Sequence, residues 1–297
     1  MKRGMVKVAC AAAVLAALAA PAARAEHYVN GVEGIKAGSV PPPGFYWRMY
    51  NVFYRATTVR DTDGEKAPVD PTINVYGFVN RGIWVSDLEV LGGNYFADLV
   101  VPLVYTSVKM DALDVNDSMF GLGDICVEPA GVSWHGPQYD AAVALGLYLP
   151  VGRYDQDDMA SAGQDMWTGM ATAGGTLYAD AERTWSASVL ARYEVHSFQR
   201  DLDIRSGQDF HFEWGLGKTL AQVVDVGLAG YCQWQVTEDS GSDVINTDRN
   251  RVFAAGPEVG VAMPEYAFFA TLRGLYEFGA RNRPEGALGV LTLTKGF

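Results

Sequence analysis

The sequence predicts an all-β protein, a transmembrane antiparallel up-and-down β-barrel of twelve strands. Three observations predict it. Segments of ten or more residues alternate apolar and polar at period two, the connections between them sort into long and short by parity, and the last segment closes on an aromatic residue, Phe297. Apolar residues make up 49% of the 297-residue chain, yet beyond residue 25 no run is long enough for a membrane helix, so the apolar residues must be interleaved with polar ones.

Residues 1–25 read as a secretory signal. Lys2, Arg3 and Lys7 precede an apolar run from Val8 to Ala20, and Ala23-Arg24-Ala25 is a small-x-small cleavage site. The run is too short to span a bilayer, and Cys10 lies within it rather than after it, against a lipoprotein signal. The expectation is cleavage after Ala25, a mature chain starting at Glu26, and residence in the outer membrane of a Gram-negative bacterium. With 35 acidic residues against 23 basic, nucleic acid is disfavoured as a partner. Only Cys126 and Cys232 follow the signal, too few for a disulfide framework.

Residues 26–44 (EHYVNGVEGIKAGSVPPPG) lack periodicity and end in three prolines. They are either a disordered lead-in or a plug tucked into the barrel lumen, and both readings stay open. Residues 45–297 form the barrel domain. Its strands are expected at about 45–59, 72–86, 93–108, 121–134, 139–151, 166–179, 184–198, 208–220, 224–237, 251–263, 265–279 and 287–297. In the seventh, Trp185, Ala187, Val189, Ala191, Tyr193 and Val195 oppose Ser186, Ser188, Arg192, Glu194 and His196. The eighth sets Phe210, Phe212, Trp214 and Leu216 against Asp209, His211 and Glu213; the eleventh sets Tyr266, Phe268, Ala270, Leu272, Tyr276 and Phe278 against Thr271, Arg273 and Glu277. Arg48 and Arg55 have opposite parity in the first strand, so one of them must snorkel or lie beyond the apolar band, and Pro129 implies a bulge in the fourth. The closing strand places Ala287, Gly289, Leu291 and Leu293 toward lipid, with Lys295 on the same face, where its ammonium would snorkel to headgroups.

The connections carry the stronger signal. RDTDGEKAPVD, KMDALDVNDSM, GRYDQDDMASAGQD, QRDLDIRSGQ, TEDSGSDVINTDRN and ARNRPEG fall on one side of the meander; VSDLEVLGG, HGPQ, DAER, AQV and Met263-Pro264-Glu265 fall on the other. Short turns on the periplasmic side and longer external loops are the habit of outer-membrane barrels, and a soluble sandwich has no reason to sort loops this way.

Several long segments, in order, resemble one known family. They are EGIKAGSVPPPGFYWRMYNVFYRA (33–56), VVPLVYT (100–106), GLGDICVEPAGVSWH (121–135), LYLPVGRYD (147–155), EWGLGKT (213–219), GYCQWQVTEDSG (230–241) and the ending EFGARNRPEG…LTLTKGF. The chain is similar over nearly its whole mature length to the outer-membrane proteins grouped as "meta-pathway of phenol degradation". The resemblance implies an outer-membrane β-barrel associated with uptake of aromatic or other hydrophobic compounds. It implies no residue-by-residue site.

Inward parity assigns Asp124, Glu128, Arg192, Glu194, His196, His211, Glu213, Glu258, Arg273 and Glu277 to the lumen wall, as a polar lining along any solute path. His196 and His211 lie near the outer ends of adjacent strands, His27 in the lead-in and His135 in a short turn. A mutually paired network is expected there rather than a metal, because the ligands are not closely spaced and no cysteine joins them. No catalytic residue and no cofactor is expected, since no G-x-S-x-G elbow exists and the strand histidines point inward. Cys126 and Cys232 have opposite parity, against a disulfide. The GLG stretches at 121–123 and 215–217 precede no helix and read as barrel kinks rather than phosphate loops. The expected function is passage of small hydrophobic or aromatic molecules, with outer-membrane lipid, the solute and, through the closing strand, the assembly machinery as partners. Two alternatives stay open: a non-conducting surface barrel whose acidic loops bind a partner or ions, and a general porin for polar solutes.

Overall fold

The computed structural model describes residues 26–111 and 114–297; the signal segment lies outside the described residues. Thirteen strands form one sheet: β1 (Gly44–Arg60), β2 (Pro71–Val90), β3 (Gly93–Met110), β4 (Val115–Leu122), β5 (Ile125–His135), β6 (Tyr139–Leu149), β7 (Thr168–Tyr178), β8 (Trp185–His196), β9 (Asp209–Leu220), β10 (Val224–Gln235), β11 (Arg251–Met263), β12 (Phe268–Arg281) and β13 (Arg283–Gly296). All pairings are antiparallel, and β13 pairs with β1 from Tyr46↔Gly296 to Arg60↔Arg283, so the sheet closes. Closure leaves no edge on the stave that begins the barrel and the one that ends it.

The wall has twelve staves, and the fourth is broken. β4 pairs with the far half of β3 (Leu103↔Leu122 to Met110↔Val115), whereas β5 pairs with its near half (Asn94↔Ser133 to Val100↔Cys126). β5 is the strand expected at 121–134, whereas β4 falls mostly on the expected loop KMDALDVNDSM, and the two are parted at Gly123-Asp124. Beyond the break β5 continues into β6, while among the described residues β4 pairs with no strand but β3, its Leu122 carbonyl accepting the Arg153 N–H of the loop after β6. Asp124 leaves the ladder because its carboxylate accepts the N–H groups of Gly152 (2.8 Å) and Gln164 (2.7 Å), pinning the following loop there. A register shift between Val127 and Ala130 brackets Pro129, the bulge its missing N–H calls for.

Two expected connections are tighter than the sequence implies. β2 and β3 reach to within a two-residue turn, Leu91 (φ 52°) and Gly92 (φ 76°), and β12 turns into β13 at Asn282 alone (φ 51°). Both positive φ values at 91–92 match the twist that a tight hairpin needs. The polar residues expected to be loop continue the ladder past the apolar band, where strands need no lipid-facing side chain. A third expected loop, KMDALDVNDSM, is also mostly strand, with residues 111–114 between β3 and β4. Elsewhere the parity of loop length holds: residues 61–70, 150–167, 197–208 and 236–250 lie at one end, and every connection at the other is short.

Alternation sets the two faces. In β8, Trp185, Ala187, Val189, Tyr193 and Val195 are exposed while Ser186, Ser188, Leu190, Arg192, Glu194 and His196 are buried. Aromatic residues gather in two outer groups. Phe45, Trp84 and Tyr95 pack at the short-turn end, and Phe210, Phe212, Trp234, Phe253 and Phe278 form a run toward the long-loop end. Such paired belts suit the two interfaces of a membrane. Arg48 turns inward and Arg55 outward, exposed. Lys295 Nζ donates to the Tyr266 carbonyl at 2.7 Å, tying the last strand to the turn before β12.

Candidate functional site

Residues 26–43 lie inside the barrel, so of the two readings of this segment the structure has the plug. It enters beside Arg283 at the long-loop end, where Glu26 pairs with that guanidinium (3.0 Å), and leaves beside Asp140 at the short-turn end, where Ser39 donates to its carboxylate (2.7 Å). The segment has no strand partner. Its backbone polar groups are cut off from bulk water and must find partners on the wall.

Charged side chains of the wall supply them. Glu194 accepts the N–H of His27 (2.7 Å) and of Tyr28 (3.0 Å). Glu213 accepts the N–H of Gly31 (2.6 Å) and of Glu33 (3.1 Å) and the Tyr28 hydroxyl (3.0 Å). Glu258 accepts the N–H of Ile35 (3.1 Å), and Arg273 donates to the carbonyls of Gly31 (3.1 Å) and Val32. Two of these carboxylates carry an arginine of their own: Arg192 pairs with Glu213 at 3.0 Å and Arg273 with Glu258 at 2.9 Å. The Arg192 guanidinium also stands 3.6 Å from the Tyr28 ring centroid, a cation–π contact shielded from water.

Glu33 is the plug's own contribution to a second cluster. Its carboxylate meets Arg48 at 3.0 Å and Arg81 at 3.3 Å, and accepts the Tyr50 hydroxyl at 2.6 Å. Burial by itself would raise this carboxyl, but the two guanidiniums and the hydroxyl outweigh burial and hold it at about 2. Arg81 reaches on to Asp98 (2.5 Å) and Glu128 (2.7 Å). Asp124 binds His27 at 2.7 Å, and Glu277 accepts the Tyr54 and Tyr231 hydroxyls and the Gly286 N–H. All ten residues assigned to the lumen by parity are thus buried inside the barrel, and seven of them contact the plug directly: five by hydrogen bonds, Arg192 and His211 through the Tyr28 ring.

Apolar contacts complete the seat. Tyr28 and Val32 join a buried cluster with Tyr50, Tyr148, Tyr231, Leu275, Leu288 and Val290. Gly31 adopts φ 86°, a conformation that favours glycine, as it turns between Leu275 and Leu288. The GLG at 215–217 is not a kink. A Cβ at Gly215 would stand 2.7 Å from the Gly34 carbonyl oxygen, and one at Gly217 would stand 2.5 Å from Ile35, so these glycines are the flat bed on which the plug rests. The GLG at 121–123 does sit at the break between β4 and β5. Beside the plug's second half the remaining cavity is about 50 Å³, room for a few waters.

Sequence parity missed Arg48, Arg81, Asp98, Tyr50 and Glu33. The signal was present for Arg81 and Asp98, which share a face with Ile83 and Phe96. Glu33 carried none, because an aperiodic segment has no parity. Cys126 is buried and Cys232 half-buried, and both are free thiols.

No curated protein matches the chain. Among solved structures, an outer membrane channel from Pseudomonas putida F1 superposes with a TM-score of 0.76 at 13% identity, covering 92% of this chain and 100% of that one. The translocator domain of the autotransporter NalP from Neisseria meningitidis gives a TM-score of 0.54 at 11% identity, covering 86% and 90%. At these identities the likeness is one of fold, and the fold is that of outer-membrane barrels. Family assignment rests on the sequence, whose residues 56–293 match one family model, and the chain belongs to the family described as "Putative MetA-pathway of phenol degradation".

Proposed function

We propose that the protein is an outer-membrane channel for small hydrophobic or aromatic compounds, closed at rest by its own residues 26–43. The carrying observation is the plug itself. An aperiodic segment fills the lumen yet is held by side-chain contacts rather than by a strand ladder, so it can leave without unzipping the wall. The apolar cluster against which Tyr28 and Val32 pack gives an apolar solute a surface to replace the plug's own side chains. Family membership supports the solute class. A lumen filled by protein argues against a general porin, and the inward charges are occupied in holding the plug rather than arranged around a reacting atom. On this reading residues 1–25 are removed after Ala25, the two aromatic belts sit at the interfaces of the outer membrane, and β13 with Phe297 is the signal read by the assembly machinery.

The test pairs conductance with uptake. In planar bilayers the wild-type mature chain should be nearly closed, and a variant lacking residues 26–43 should conduct as an open pore. Equal conductance from the two would sink the plug. Cells without the protein should take up a dilute aromatic hydrocarbon more slowly than cells with it; equal rates would sink the solute class and leave the plug standing.

A further inference from the structure

The β8–β9 register places Glu194 directly opposite Asp209, with His196 and His211 diagonal to them on the same buried face. Two carboxylates facing each other across a ladder repel unless something positive lies between. Elsewhere in the lumen this is settled with arginine: Glu33, Asp98, Glu128, Glu213 and Glu258 each have a guanidinium within 3.3 Å. Among the described residues Glu194 and Asp209 have none. Their ion-pair partners are the imidazoles of His211 (3.2 Å to Glu194) and His196 (3.2 Å to Asp209), with all four side chains fully buried. Arg205 donates its Nε to the His196 backbone carbonyl instead.

His196 is held through its other nitrogen. His27 Nε2 lies 2.7 Å from Asp124 Oδ2 and His27 Nδ1 lies 2.7 Å from the Thr168 hydroxyl oxygen, which in turn lies 2.8 Å from His196 Nδ1. His196 Nε2 is thereby aimed at Asp209 Oδ2, 3.2 Å away. An imidazole oriented through its other nitrogen by a fixed hydroxyl is the arrangement that prepares histidine to bind a metal. His211 Nδ1, also buried, has no hydrogen-bond partner.

We infer that Glu194, His196 and Asp209 bind a divalent transition-metal ion. One ligand atom from each of the three lies within 4.8 Å of the others. The 3.2 Å between His196 Nε2 and Asp209 Oδ2 is close to the spacing of about 3.3 Å between donors in a tetrahedral zinc site. An imidazole with two carboxylates forms a borderline nitrogen–oxygen set, suited to zinc and its neighbours rather than to calcium. The ion would also bear on the plug. Both oxygens of Glu194 hold the N–H groups of His27 and Tyr28, so metal occupancy and seating of the plug's first residues are linked through one carboxylate.

The mature chain is refolded into detergent with zinc, freed of loose metal by gel filtration, and its metal counted by mass spectrometry. About one zinc per chain is expected in the wild type and in His135→Ala, a control at the opposite end of the barrel. His196→Gln and Asp209→Asn should each retain at least tenfold less, with folding followed by heat-modifiable gel mobility. Folded wild type that holds no zinc, which is the result if a proton alone fills the gap, overturns the inference; so does equal retention by folded variants. Should both variants fail to fold, refolding the wild type with cobalt(II) still decides. An intense visible band of four-coordinate cobalt is expected, and the weak spectrum of an octahedral aqua ion, or none, counts against the site.

Discussion

The two halves of the plug are held in different ways. From Glu26 to Ile35 the backbone is gripped by buried carboxylates and guanidiniums: Glu194, Glu213 and Glu258 take five of its N–H groups and Arg273 takes two of its carbonyls. From Lys36 to Pro43 the ties are fewer and lie nearer solvent. Lys36 reaches Asp225 at 2.9 Å, Ser39 reaches Asp140 and Thr176, and the three prolines run out to β1. The difference follows from composition. The first half carries Glu26, His27 and Glu33 into a part of the lumen lined by opposite and complementary charge, while a proline run offers no N–H to bind. The lesson is that the two halves differ in what would have to break for the proposed release: the ionic grip in the first, and a few hydrogen bonds in the second.

The largest expected effect is therefore on the first half. Glu213→Gln keeps the shape but removes the charge that Arg192, Tyr28, Gly31 and Glu33 share. It leaves a buried guanidinium without its counter-ion, a loss of about 3–5 kcal/mol. The guanidinium chloride midpoint should fall accordingly and the segment before Gly44 should become open to protease; an unchanged midpoint would mean that the grip is not ionic. On the second half, Ser39→Ala removes one hydroxyl from an Asp140 that keeps Tyr178 and Arg183 as donors. About 1 kcal/mol is expected there, with protease protection of residues 26–35 retained. A loss as large as that of Glu213→Gln would erase the distinction between the halves.

The smallest effect expected is that of mild acid. Because Glu33 is held at about 2, below its ordinary value near 4.5, its charge stabilises the seated plug. That contribution is fully present above about pH 4.5 and is lost as pH falls through about 2. Protease protection of the plug in Glu33→Gln should therefore fall short of wild type equally at pH 7 and pH 5. A difference between the proteins that vanished by pH 5 would place the Glu33 charge outside the grip.

Parity made much of this legible. Period two is a local property, so the inward assignment of Arg192, Glu194, Glu213, Arg273 and Glu277 needed only each strand's own residues, and the sorting of loops needed only their lengths. Where local pattern ran out, so did the reading. The polar segments VSDLEV and RNRPEG look like loop yet continue a ladder, because a neighbour's hydrogen bonds, not their own side chains, hold them extended. β4 looks like loop because VNDSM is polar and turn-forming, and nothing between Gly121 and Ile125 announces that Asp124 will turn inward to hold the next loop.

What the sequence by itself determined is the kind of molecule: a closed alternating wall, its two faces, its two ends and its family. Only the tertiary structure decided that residues 26–43 fill the lumen, since an aperiodic segment is placed by partners far along the chain. It also decided which charges meet. Glu194 and Asp209 are fifteen residues apart in sequence and belong to separate strands; that they face each other with histidines between is a matter of register, and a shift of two residues would have given Asp209 Arg192 as its neighbour instead.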